Sequence, residues 1–226
     1  MNKKPIGIFD SGVGGSSIWK EIHKLLPNEH TIYLADSKFA PYGPKGPDKI
    51  KELSVKNVEL LLSKECKLIV VACNTATTNA IDYLRSHYDI PFVGIEPAIK
   101  PAALKTKTKI VGILATKGTL SSTLFHKTAN LYGHNILKIE QEGEGIVQLI
   151  ESGNLYSVEM TYLLKNYLEP MIKANIDYLV LGCTHYSYLI PILKELLPKH
   201  IRIVDSGQSV ARQVKSVLQT NQLLNV

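Results

Sequence analysis

Short apolar runs rich in β-branched residues alternate with longer segments of helical period along nearly the whole chain. The runs are Ile6 to Phe9, Thr31 to Leu34, Leu68 to Ala72, Phe92 to Gly94, Ile110 to Leu114, Ile136 to Ile139, Tyr178 to Leu181 and Ile201 to Val204. Several are apolar throughout, as suits strands covered on both faces in a parallel sheet. Between them the period predicts helices over Ser16 to Leu26, Asp48 to Lys64, Thr75 to His87, Ser121 to Tyr132, Val158 to Ala174, Tyr188 to Leu197 and Ser209 to Leu223. Such βα alternation predicts an α/β fold with mainly parallel sheets. A boundary is expected near Glu96-Pro97-Ala98, where prolines follow a strand, and a second crossing near Asp205-Ser206-Gly207. These divide the chain into residues 1–96 plus 207–226 and residues 97–206, the last helix returning to the first unit.

Composition narrows the function classes. No apolar run approaches the ~20 residues that span a bilayer. The stretch after Lys3 and Lys4 stops at Asp10, too early for a signal peptide, so a cytoplasmic protein is expected. The net charge of +6 comes from scattered lysines, with no basic stripe interleaved with aromatics. Solvated faces explain it better than a nucleic-acid surface, leaving a weak attraction for polyanions. Three cysteines, Cys66, Cys73 and Cys183, form neither a disulfide framework nor a Cys-x-x-Cys pair. No His pair has metal-ligand spacing, so a zinc site is not expected.

Two segments share one pattern. Leu68-Ile69-Val70-Val71-Ala72-Cys73-Asn74-Thr75 and Tyr178-Leu179-Val180-Leu181-Gly182-Cys183-Thr184-His185 each run from a buried strand through a cysteine and polar residues into a helix. Ligands bind open α/β sheets beyond the carboxyl ends of strands, where both cysteines fall. A helix N-terminus favours the thiolate. One such cysteine would be a small core hydrophobe, which is the reading for Cys66. Two at equivalent points favour chemistry. Inverting an α-carbon needs a proton removed from one face and another delivered to the opposite face, and paired thiols do this in either direction.

The stretch Ile6-Gly7-Ile8-Phe9-Asp10-Ser11-Gly12-Val13-Gly14-Gly15 ends a strand in Asp-Ser and enters a glycine-rich turn before a helix. It matches neither nucleotide fingerprint, and Asp10 would repel a phosphate. Asp10 and Ser11 suit a zwitterion, with a helix cap as the structural alternative for Asp10. Pro41-Tyr42-Gly43 forms a turn from which Tyr42 and the Gly43 N–H can reach a ligand.

Four segments carry a family resemblance: Phe9 to Gly15, Ala35-Asp36 with Pro41-Tyr42-Gly43, Ala72 to Ala76, and Leu181-Gly182-Cys183-Thr184-His185-Tyr186. In order and spacing they resemble the glutamate branch of the aspartate/glutamate racemase superfamily. The resemblance implies two pseudo-symmetric three-layer domains facing across a cleft. It implies Cys73 and Cys183 as paired acid/base thiols. It places Asp10, Ser11, Tyr42, Gly43, Asn74, Thr75, Thr184 and His185 on the substrate, with Asp10 and His185 also tuning the thiols. The implied activity is cofactor-independent interconversion of L- and D-glutamate, supplying D-glutamate for peptidoglycan. A homodimer without membrane or nucleic-acid partners is expected. The rival readings are an aspartate- or hydantoin-type racemase, a one-thiol decarboxylase, and a weakly active protein acting on a partner such as DNA gyrase. Departures from the family pattern are Ser187 in place of a usual proline, Lys45 in place of arginine, a shorter tail, and the three glutamates of Glu140 to Glu144. Glu151 aligns loosely with a family glutamate near the cleft.

Overall fold

The computed structural model describes residues 3–95, 98–133 and 135–225, so Glu96 and Pro97 of the expected first boundary lie outside the described residues. Strands β1 (Ile6–Asp10), β2 (Thr31–Ala35), β3 (Leu68–Val71) and β4 (Phe92–Gly94) form one sheet in the order β2-β1-β3-β4. Strands β5 (Ile110–Ala115), β6 (Leu137–Glu142), β7 (Tyr178–Gly182) and β8 (Arg202–Val204) form a second in the order β6-β5-β7-β8. All strand pairings in both are parallel, which fits the apolar runs. The helices are α1 (Ser16–Leu25), α2 (Pro47–Ser63), α3 (Asn74–His87), α4 (Ile99–Lys105), α5 (Lys117–Leu120), α6 (Thr123–Gly133), α7 (Ile146–Glu151), α8 (Val158–Lys173), α9 (Ile190–Leu196) and α10 (Gly207–Thr220). Single 3₁₀ segments cover Ser37–Phe39 and Thr184–Leu189.

Each sheet is the middle of three layers. Ile6, Ile8, Leu68 and Val70 face α1 and α10, while Phe9, Ile69 and Val71 face α2 and α3. In the second sheet Leu114, Leu179 and Leu181 face α7, α8 and α9, and Val111, Ile113 and Val180 face α4 and α6. The two halves repeat in detail. Gly7 in β1 backs onto Cys66 and Leu61, as Gly112 in β5 backs onto Ile176 and Met171. Cys66 thus occupies the position of an isoleucine in the other half.

Some boundaries differ from those the sequence predicts. The strand expected at Ile136 to Ile139 runs from Leu137 to Glu142, because an edge strand with one neighbour tolerates polar residues. Where the prolines predicted a break, Pro101 sits in the first turn of α4, a place that needs no N–H. The helix expected from Tyr188 begins at Ile190, after the 3₁₀ segment. Among the described residues no helix is long and apolar enough to cross a membrane.

The last helix closes on the first sheet. Helix α10 packs along α1 and against β4. The chain beyond it covers a buried ion pair: Lys67 Nζ lies 2.7 Å from Glu29 Oε2, and both side chains are 1% exposed. Lys67 Nζ also donates to the Leu223 carbonyl at 2.7 Å. The Asn225 N–H donates to Glu29 Oε1 at 2.8 Å and its side-chain amide to Oε2 at 3.1 Å. Removing one partner of such a pair leaves an uncompensated buried charge. Lys67→Met is expected to destabilise the protein by about 3–5 kcal/mol in urea unfolding. A loss under about 1 kcal/mol would show that the pair and the segment over it are dispensable.

Candidate active site

The carboxyl ends of β1, β3, β5 and β7 meet. Cys73, two residues beyond β3, and Cys183, immediately beyond β7, line one cavity. Ser11, Tyr42, Gly43, Asn74, Thr75, Thr184 and His185 line it too, with Pro41, Thr116 and Val147. Asp10 lies behind them, fully buried. The enclosed room is about 10 Å³, enough for one water.

The two thiols have unlike surroundings. Cys73 caps α3, its sulfur accepting the Ala76 N–H at 3.4 Å and lying 3.7 Å from the Ser11 hydroxyl. Expectation put its proton affinity below normal. The opposite holds: burial and the Asp10 carboxylate hold the thiol well above its usual range, outweighing the capping bond. Cys183 precedes the short 3₁₀ segment and caps nothing; its sulfur lies 3.8 Å from His185 Nδ1. Burial alone pushes Cys66, away from the cavity, up to about 11.

Asp10 ties the two halves together. Its Oδ2 accepts the Gly15 N–H at 2.8 Å and the Gly12 N–H at 3.4 Å, and the Thr184 hydroxyl donates to Oδ1 at 3.4 Å. Burial raises its pKa against the lowering pull of His185, the Gly15 and Ser11 N–H groups and the Cys73 thiol. It therefore holds its own turn and reaches across to the second sheet; it is not the helix cap, since Gly15 takes that position in α1 and no side-chain bond caps it. The glycines allow that approach. A Cβ on Gly15 would lie 2.6 Å from Asp10 Cβ, and one on Gly14 would lie 2.6 Å from the His185 backbone nitrogen. Tyr188 and Ser16 also join their hydroxyls across this seam.

His185 is braced from behind. Its Nε2 lies 2.5 Å from Glu151 Oε1, which also accepts the Val13 N–H at 2.7 Å. Burial lowers the imidazole's proton affinity, but the bonds to Cys183 and Glu151 outweigh it and raise the pKa well above 6.5. The bond from His185 in turn lowers Glu151. A protonated Nε2 donates to Glu151, so the Gly14 N–H at 3.3 Å is only a packing contact.

The other wall is hydroxyl-rich. Thr75 Oγ1 lies 2.8 Å from Thr116 Oγ1, which lies 3.1 Å from that of Thr119. Tyr42 borders the cavity while its hydroxyl donates at 2.6 Å to Oδ2 of Asp36, which does not line it. Asn74 is the opposite case: its side-chain oxygen and nitrogen are both buried, and neither has a hydrogen-bond partner. Buried amides without partners are costly, so this one awaits a polar guest. Among the described residues no cluster of three His, Cys, Asp or Glu side chains is placed to hold a metal.

Sequence reasoning missed Thr116, and placed Glu151 only loosely. The internal symmetry identifies Thr116: with Gly112 matched to Gly7, it falls opposite Ser11. Glu151 had no local signal, since its contacts to Val13 and His185 are distant in sequence.

Comparison with known proteins bears on this arrangement. A family model described as Asp/Glu/Hydantoin racemase matches residues 6–214. A glutamate racemase from Pseudomonas putida is 44% identical over 97% of this chain and 83% of that protein. The crystal structure of Escherichia coli glutamate racemase, in complex with L-glutamate and the activator UDP-MurNAc-Ala, is 38% identical with a TM-score of 0.88. The match covers 96% of this chain and 83% of that one. That of the Francisella tularensis glutamate racemase, with D-glutamate, is 30% identical with a TM-score of 0.86 and covers 100% and 84%.

A raised folded-state pKa has a definite sign. The fold binds the His185 proton more tightly than the unfolded chain does. The resulting stability is complete below the unfolded value near 6.5 and is lost as pH rises through the folded value. Nitrogen-15 NMR should therefore show His185 protonated well above pH 6.5. Glu151→Gln should move its titration down. A His185 titrating at its ordinary value in the native protein would remove the brace from the account.

Proposed function

This chain belongs to the Asp/Glu/Hydantoin racemase family, and we propose that its reaction is the interconversion of L- and D-glutamate. The observation that carries this is the pair of thiols lining one cavity from two parallel sheets. One thiolate takes the α-proton, and the opposing thiol delivers its own to the other face. After each turnover Cys73 and Cys183 have exchanged protonation states, the former thiolate now a thiol and the former thiol a thiolate. By resemblance, Cys73 is the base for D-glutamate and Cys183 for L-glutamate.

The other roles follow from what each group offers. Asn74 brings unused amide donors and acceptors to the substrate's polar groups. Ser11, Thr75, Thr116 and Thr184 add hydroxyls, and Gly43 leaves room for the loop to approach. His185, held protonated by Glu151, supplies positive charge beside Cys183 where negative charge develops. Asp10 balances it beside Cys73. The chemistry needs neither metal nor organic cofactor. Residues 1–96 with 207–226 and residues 97–206 are proposed as two domains, supported by the packing of α10 on α1. The biological role proposed is supply of D-glutamate for peptidoglycan in the cytoplasm.

The direct test is circular dichroism of purified protein with L- or D-glutamate and no added cofactor. Cys73→Ala and Cys183→Ala should each nearly abolish racemisation in both directions, while Cys66→Ala retains it. Residual exchange of the α-proton with deuterium should favour one enantiomer in one variant and the other in its counterpart. Racemisation at the native rate in either variant refutes the two-thiol mechanism. Asn74→Ala should lose roughly 10- to 100-fold in kcat/KM, the worth of hydrogen bonds to a charged ligand. Unchanged kinetics would return Asn74 to a purely structural place.

A further inference from the structure

The second sheet has another concave site, at the end away from the thiols. Lys105 and Lys107 approach it from the end of α4 and the turn into β5, and Lys199, His200 and Arg202 from the turn into β8 and its first residue. Thr108, Asp177 and Tyr178 line it as well, around about 660 Å³. Asp177 precedes β7 and Cys183 follows it, so a five-residue strand, roughly 15–20 Å, separates the sites.

We propose that this pocket binds a diphosphate or longer polyphosphate group, free or as an ester. Three lysines, an arginine and a histidine converge there, and none of them is in an ion pair among the described residues. Elsewhere Lys49, Lys51 and Lys173 each meet an acid on their own helix. The one carboxylate in the pocket is spent on neutral donors. Asp177 Oδ1 accepts the Thr106 hydroxyl at 2.6 Å and the Thr108 hydroxyl at 3.2 Å; its Oδ2 accepts the Lys107 N–H at 2.6 Å and the Thr108 N–H at 3.3 Å. Arg202 is held in place, its Nη1 donating to the Tyr178 hydroxyl at 3.4 Å. Like charges around a concavity repel one another and focus a positive field into it, and a multivalent anion relieves both. A single carboxylate would leave most of these cations unmatched. A second groove adjoins the first through Lys199 and Arg202. Ile190, Leu197 and Ile203 line it beside Lys194 and Asp205, giving partly apolar cover for the remainder of an ester.

Titration calorimetry with inorganic pyrophosphate and with ADP, at about 0.15 M salt to screen long-range attraction, tests this. Saturable binding of pyrophosphate at one site per chain is expected. Equal affinity for ADP identifies the phosphates as the whole determinant, and tighter ADP binding adds the apolar groove. Lys199→Gln and Arg202→Gln should each weaken binding about tenfold or more, as loss of a charge-assisted hydrogen bond does. Lys107→Gln, fully on the surface, should do the same if the Arg202 variant folds poorly. Lys64→Gln removes the same charge outside the pocket and should change nothing. Glutamate racemisation by the pocket variants should match the native rate, so failure here is distinct from failure of the racemase proposal. The proposal is overturned by absence of saturation, by equal weakening in Lys64→Gln, or by duplex DNA binding that pyrophosphate does not compete.

Discussion

The carboxylate of Asp10 has no exposed surface and takes hydrogen bonds from both halves of the molecule. Most of the site's geometry follows from keeping it there. A buried carboxylate must be satisfied, and the donors at hand are the backbone of its own turn and the Thr184 hydroxyl across the seam. The turn curls tightly because Gly12 and Gly15 bring their N–H groups inward. That curl presses Gly14 against His185 and offers the Val13 N–H to Glu151. One acid at a strand end thereby joins the two sheets and helps place the imidazole behind Cys183.

The same seam makes the cavity narrow. Hydroxyls of Thr75 and Thr116 meet on the opposite wall, so the halves touch on both sides of the thiols. The unsatisfied amide of Asn74 is the exception in a neighbourhood otherwise well hydrogen-bonded. Folding accepts that cost where a ligand relieves it, and stability is drawn instead from the four apolar clusters and the tail over Glu29 and Lys67.

The strands were plain in the amino-acid order because parallel strands buried on both faces are apolar throughout. The edge strand β6 blurred, since half of it meets solvent and Glu140 to Glu142 fit there. Helix α4 was hidden by Pro101, which reads as a breaker until its place in the first turn is known. Cys73 and Cys183 stood out because the motif repeats. Thr116 did not, because threonine after a strand is ordinary until the halves are superimposed. The direction of the Cys73 shift was missed for a different reason. A helix N-terminus is visible in the sequence, whereas complete burial beside a second acid is a property of the assembled site.

Burial raises the proton affinity of Asp10 and Cys73 together, and the paired bonds of His185 raise that of the imidazole. The cavity is therefore reluctant to accumulate negative charge. An anion that enters it draws protons in, or displaces the charge already present. Association is then linked to proton uptake from solution, and its heat depends on the ionisation enthalpy of the buffer as well as on the contacts made. An enthalpy of association measured in one buffer would include a contribution from that buffer.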